Sequence, residues 1–152
     1  MRKQPEPLLV LLAFVFHFAW EMVQDPLYAG LSERPHREVR ELCLMATFGD
    51  LVITIVAFYA AAVLAGSRFW FLGARRMPMT VWFAVGLLVT IALELYATRI
   101  VGRWSYGPLM PIVPILRIGL APLLQWLLIP AMLLFLMDRH FRGMRPLERD
   151  IP

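Results

Sequence analysis

The sequence predicts an all-α protein built as a bundle of four transmembrane helices, and three observations predict it. Apolar residues make up 60% of the 152, and charged residues only 17%, against roughly 25% in an average soluble domain. So few charges cannot cover the polar surface of a soluble domain this size. Four apolar stretches each reach the roughly 20 residues that a helix needs to cross a bilayer. Lys and Arg flank those stretches instead of forming a stripe, which is a topology signal and not a nucleic-acid footprint. A disordered tail, a coiled coil and an ordinary soluble globule are excluded, and the mean hydropathy of +0.66 agrees. Backbone groups in lipid must be paired within the chain, so the spans are helices.

The first span runs from about Leu8 to Tyr28. Arg2 and Lys3 before it resemble the start of a signal peptide. However, His17 and Glu21 interrupt the apolar run and no small-residue cleavage site follows, so a retained helix is expected. The second span runs from about Leu42 to Gly66, the third from about Met79 to Ile100, and the fourth from about Ile118 to Met137. Residues 1–152 are read as one integral membrane domain, without linker or repeat. Cys43 is the single cysteine, which allows neither an internal disulfide nor a cysteine zinc site. It reads as a packed or lipid-facing small hydrophobe.

Four spans place both termini on one side. That side carries Arg2, Lys3, Arg68, Arg75, Arg76, Arg139, Arg142, Arg145 and Arg149, nine basic residues against six on the other. Basic excess marks the cytoplasmic face, so both termini are expected in the cytoplasm and the chain in the cell (plasma or inner) membrane.

Polar residues inside the spans carry the functional information. An ionisable group at mid-bilayer costs roughly 2.5–3.5 kcal/mol on the insertion scale, so Glu21, Asp50 and Glu94 are expected to face one another or a wet cavity. Glu21, Asp50, Glu94 and Gln125, one from each span, fall in one layer, each about 9–12 Å below the same end at 1.5 Å per residue. His17 and Glu21 share a helix face, continued by Gln24; Thr47, Asp50 and Thr54 share another, and Thr90, Glu94 and Ala97 a third. Plainer readings stand beside this one. His17–Glu21 could be a helix-locking hydrogen bond, Asp50 half of a structural pair, and Glu94–Arg99 an ion pair at a helix end. One imidazole with three carboxylates would suit zinc, manganese or iron, but only His17 among the three histidines lies in a span, so no metal or cofactor is assigned.

The connection from Gly102 to Pro114 holds Trp104, Tyr106, two glycines and three prolines. Proline blocks helix continuation, so this is a stiff loop. Its aromatics could form an interfacial belt, or the loop could fold over the polar layer as a lid whose rings stabilise a cation.

The order Glu94, Gly102-x-Trp104-x-Tyr106, then Gly119-Leu120-x-Pro122-Leu123-Leu124-Gln125-Trp126 resembles the membrane-embedded carotenoid hydratases and the heterodimer-type lycopene cyclases, over about a fifth of the chain. Where the cyclases carry an acidic pair after proline, this chain has Leu123-Leu124-Gln125. A similarity of architecture and residue types links it also to the sterol-isomerase-like four-helix family. The resemblance implies hydration, isomerisation or cyclisation of an isoprenoid-like or other lipid substrate. The His17-Phe18-Ala19-Trp20-Glu21 element has no counterpart in those families; the buried polar residues themselves suggest Glu21 or Glu94 as the acid and His17 or Asp50 as the base, with Trp20, Gln24, Tyr96, Trp104, Tyr106, Gln125 and Trp126 lining the substrate. No nucleic-acid partner is expected, and a homo- or hetero-oligomer remains open. The alternative is a non-enzymatic assembly subunit or a small transporter, in which the polar layer specifies packing or conducts.

Overall fold

The computed structural model describes residues 4–31, 33–73 and 76–143. Four helices carry it, each long and apolar enough to cross a membrane. Helix α1 spans Glu6–Gln24 and ends in a 3-10 turn at Asp25–Leu27; α2 spans His36–Ala65; α3 spans Arg76–Leu95 and continues as a π-helical stretch through Tyr96–Val101; α4 spans Leu120–Gly143. Each helix packs on its neighbours in sequence and α4 closes against α1, giving a four-membered up-and-down ring. The expected all-α bundle is present.

The boundaries differ from the sequence reading in physically sensible places. Helix α2 starts at His36, six residues before the apolar run, because Pro35 takes the extended backbone of a helix entrance (φ −56°, ψ 137°) and amphipathic Arg37–Glu41 then continues the helix above the apolar region. It ends where Gly66 turns left-handed (φ 62°) and its N–H bonds back to Ala62 and Val63, a common C-terminal closure. Helix α4 runs on past Met137, with Arg142 tied to Asp138 at 2.7 Å. Pro130 lies inside α4 and leaves the carbonyl of Trp126 without its helical donor.

Two short strands, β1 (Ile112–Val113) and β2 (Ile118–Gly119), pair antiparallel in the connection before α4. Sequence reasoning saw only a stiff loop there, since two-residue strands leave no alternation to read. This connection and the 25–35 turn make the hairpin end of the bundle. The other, terminal end carries residues near both termini, where Phe58, Trp70, Phe71, Trp82 and Phe141 close the core. Between helices the core is apolar, while Leu11, Val15, Val52, Val56, Val63 and Leu88 are at least half exposed on the outside. A molecule apolar on both its inner and outer surfaces has the pattern of a bundle in lipid. Of the basic residues used for orientation, Arg2, Lys3, Arg75, Arg145 and Arg149 lie outside the described residues.

Candidate functional site

The polar residues converge. Gln125, one turn into α4 and 2% exposed, is the hub. Its amide nitrogen lies 2.9 Å from Nδ1 of His17, 3.1 Å from Oε1 of Glu21 and 2.9 Å from Oδ2 of Asp50. An amide nitrogen cannot accept, so Nδ1 of His17 presents its lone pair and the ring proton sits on Nε2. That nitrogen faces the hydroxyl of Thr54 at 3.3 Å. Two amide hydrogens serve three acceptors, which therefore share them. Glu21 and Asp50 are thus brought together on one amide nitrogen.

A second chain of bonds holds Glu21 from its own helix. The amide of Gln24 donates to Oε1 of Glu21 at 2.8 Å, and the indole N–H of Trp20 donates to the carbonyl of Gln24 at 3.1 Å. The i,i+4 bond between His17 and Glu21 does not form; both are engaged across the bundle instead.

Trp126 underlies the cluster. Its ring centre is 5.2 Å from that of His17. The indole fits because α3 has no side chain opposite it: a Cβ on Gly86 would sit 2.2 Å from Cε3 of Trp126.

Glu94 does not join the hub. It is 7% exposed, and its Oε2 accepts from the Tyr106 hydroxyl and, at 3.4 Å, from the Trp104 indole N–H. The loop therefore does fold inward over the polar layer. It is tied down again by backbone bonds to the end of α1, from Ala29 N–H to Ser105 and from Gly107 N–H to Leu27, at 2.9 and 2.8 Å. Tyr28 packs on this lid, 5.9 Å from the Tyr106 ring and 6.4 Å from Trp104. Burial, and then the hydrogen bond to Glu94, hold the Tyr106 phenol above its usual range. The Glu94–Arg99 ion pair is not made, since Arg99 donates to the Leu116 carbonyl.

Of the predicted site residues, His17, Glu21, Asp50, Gln125, Trp126, Gln24 and Trp20 form one connected group. Glu94, Trp104 and Tyr106 form the lid above it. Tyr96 is a correction: it is 55% exposed on the outer face of α3, because an aromatic at a span end suits the lipid interface as well as the interior. Thr54, Tyr28 and Gly86 were not assigned to the site. Thr54 was legible as sharing the Asp50 face, and an isolated glycine in a helical run signals close approach; the contact of Tyr28 with the lid depends on how two loops meet.

Towards the terminal end, beyond His17 and Thr54, the buried side chains are apolar or aromatic: Ala13, Ala57, Phe58, Trp82, Ile129 and Leu133. The polar layer thus gives way to apolar packing among the described residues. Among the described residues, no three His, Cys, Asp or Glu side chains converge as a metal site. Compared with protein-family models, with curated proteins and with solved structures, the chain matches none.

Proposed function

We propose that the chain is a small multi-pass enzyme of the cell membrane, with both termini cytoplasmic, that performs acid–base chemistry on an isoprenoid-like or other apolar lipid substrate. The observation that carries this reading is the Glu21–Asp50 carboxyl pair, gathered with neutral His17 around Gln125 beneath an aromatic lid. Electrophilic addition to a carbon–carbon double bond needs a carboxylic acid held ready in a dry site. Glu21 gives its proton to one alkene carbon and the π pair forms the new C–H bond. The neighbouring carbon becomes cationic, and the faces of Trp126 and Trp104 stabilise that charge. Asp50 or His17 then removes a proton from an adjacent carbon, which completes isomerisation, or from an attacking water, which completes hydration; in ring closure the π pair of a second double bond first forms a C–C bond to the cation, and the proton is lost beside the new cationic carbon. Glu94 has its carboxyl committed to the lid and acts in positioning, so the acid role rests with Glu21.

The test follows from the first step. Membranes containing the protein are incubated in D2O, and their isoprenoid lipids are extracted and weighed by mass spectrometry. Deuterium should enter a polyene species, and Glu21→Gln should reduce its incorporation about 100-fold or more. Incorporation unchanged in Glu21→Gln overturns the reading.

The second reading is structural: Gln125 joins α4 to α1 and α2 through mutually satisfied bonds, as a polar core that fixes helix register would. Loss of folding in the variants with no isotope uptake in the unaltered protein supports it. Conduction is the less favoured third, since the apolar terminal half gives a proton no polar path; flux in liposomes abolished by Asp50→Asn would restore it.

A further inference from the structure

The chain between α3 and α4 carries three arginines that the Gln125 centre does not use. Arg99, Arg103 and Arg117 are all exposed, and no acidic residue occurs between Glu94 and Asp138. Among the described residues none of the three forms an ion pair. The fold gathers them at the hairpin end. Arg99 donates to the carbonyl of Leu116, the residue before Arg117. The Arg103 backbone N–H donates to Ala97 at 2.8 Å, which turns the chain back against the end of α3. The Arg103 guanidinium lies 5.9 Å from the Trp104 ring centre, over the lid. Arg117 holds a left-handed backbone (φ 51°), alone among the described non-glycine residues. Glycine or asparagine suits such a position better, so the turn itself gives no reason for an arginine. Apolar side chains stand out beside the charges, with Ile115 93% and Leu109 71% exposed.

We propose that this face binds the head of an anionic phospholipid in the leaflet at the hairpin end. The surface is separate from the Gln125 centre and independent of the function proposed for it. A guanidinium presents five N–H donors in a planar fork that fits phosphate oxygens, and Arg99 spends one of them on Leu116. Three cations without a carboxylate favour a lipid of net negative charge over a zwitterion, whose ammonium they repel. Ile115 and Leu109 decide between a lipid and a soluble anion. Acyl chains beneath the head cover them, whereas a hydrophilic anion leaves them in water. The bound head also acts on the lid, because Arg103 rests on Trp104 and Trp104 is tied to Glu94.

The experiment uses the full chain in phosphatidylcholine nanodiscs with a trace of phosphatidylglycerol that carries a diazirine beside its glycerol. Photolabelling followed by peptide mass spectrometry should place the adduct in the segment 99–117. Added phosphatidylglycerol should displace the probe about fivefold or more better than added phosphatidylcholine, the preference that a single guanidinium near a membrane surface supplies. Arg103→Gln and Arg117→Gly should each lower capture about fivefold. Arg117→Gly should do so without lowering the thermal midpoint, because glycine takes the same backbone freely. Added phosphatidylglycerol should also slow deuterium exchange at the Gly107 amide, and the slowing should be lost in Arg103→Gln. If either variant does not fold, the competition series on the unaltered chain decides. Equal displacement by phosphatidylcholine, displacement by inorganic phosphate as effective as by phosphatidylglycerol, full capture in folded Arg117→Gly, or labels at the terminal end overturns the proposal.

Discussion

Gln125 shows how one neutral side chain can organise several acids. The bundle interior offers Glu21 and Asp50 little solvent, so their bonds come from protein, and a carboxamide supplies them without adding charge. Replacing it by Leu keeps the volume but removes the donors for His17, Glu21 and Asp50. Gln125→Leu should lower stability by roughly 2–3 kcal/mol, read as a drop in thermal midpoint in detergent. The glycines give a paired test of packing. Gly86→Ala would drive a Cβ into Trp126, whereas a Cβ on Gly49 meets nothing within 4 Å. The first should cost about 1–3 kcal/mol through overpacking, and the second should gain up to about 1 kcal/mol, since Ala is the better helix former. Unfolding of both variants under identical conditions checks the opposite signs. At this scale the sequence was readable wherever burial is expensive. His17, Glu21, Asp50 and Gln125 announce themselves because a lipid-facing alternative would cost so much. Tyr96 did not, because either environment suits it.

The lid is the element whose behaviour depends most on side chains. Its backbone bonds from Ala29 to Ser105 and from Gly107 to Leu27 are few, and the grip of Trp104 and Tyr106 on Glu94 adds to them. Tyr106→Phe should speed deuterium exchange at the Gly107 and Ala29 amides several-fold, because local opening sets that rate. The same substitution should alter the alkaline limb of stability. Burial and the Glu94 bond raise the Tyr106 phenol, against a backbone hydrogen bond from Gly119 and the charge of Arg99 that oppose them. An unfolded tyrosine loses its proton near pH 10, where the folded one keeps it. The unfolded chain then binds fewer protons, so this residue makes stability fall as pH rises above about 10. Phe at this position should flatten that fall in a pH series of unfolding curves. Trp104 and Tyr106 could be read as lid residues from the proline-bound loop around them. The hairpin at 112–119 could not, because its pairing is set by the register of two very short segments, and the Tyr28 contact required knowing where the first turn lands.

At the scale of the whole molecule, four apolar runs of spanning length fix the helix count, and short connections fix the up-and-down order. Helix ends were harder: α2 begins and α4 finishes beyond the apolar runs, where Arg37, Glu41, Asp138 and Arg142 continue the helix in polar surroundings. Matching depths on separate helices were readable from residue counts, so the meeting of Glu21, Asp50 and Gln125 was expected, while the diversion of Glu94 to the lid was not. The apolar layer of Ala13, Ala57, Phe58 and Ile129 has a wider meaning. On the function proposed here, whatever reaches Gln125 would come and go from the hairpin end alone. Supply and discharge would then be the business of a single leaflet, and a change in the composition of the opposite one should leave the traffic untouched.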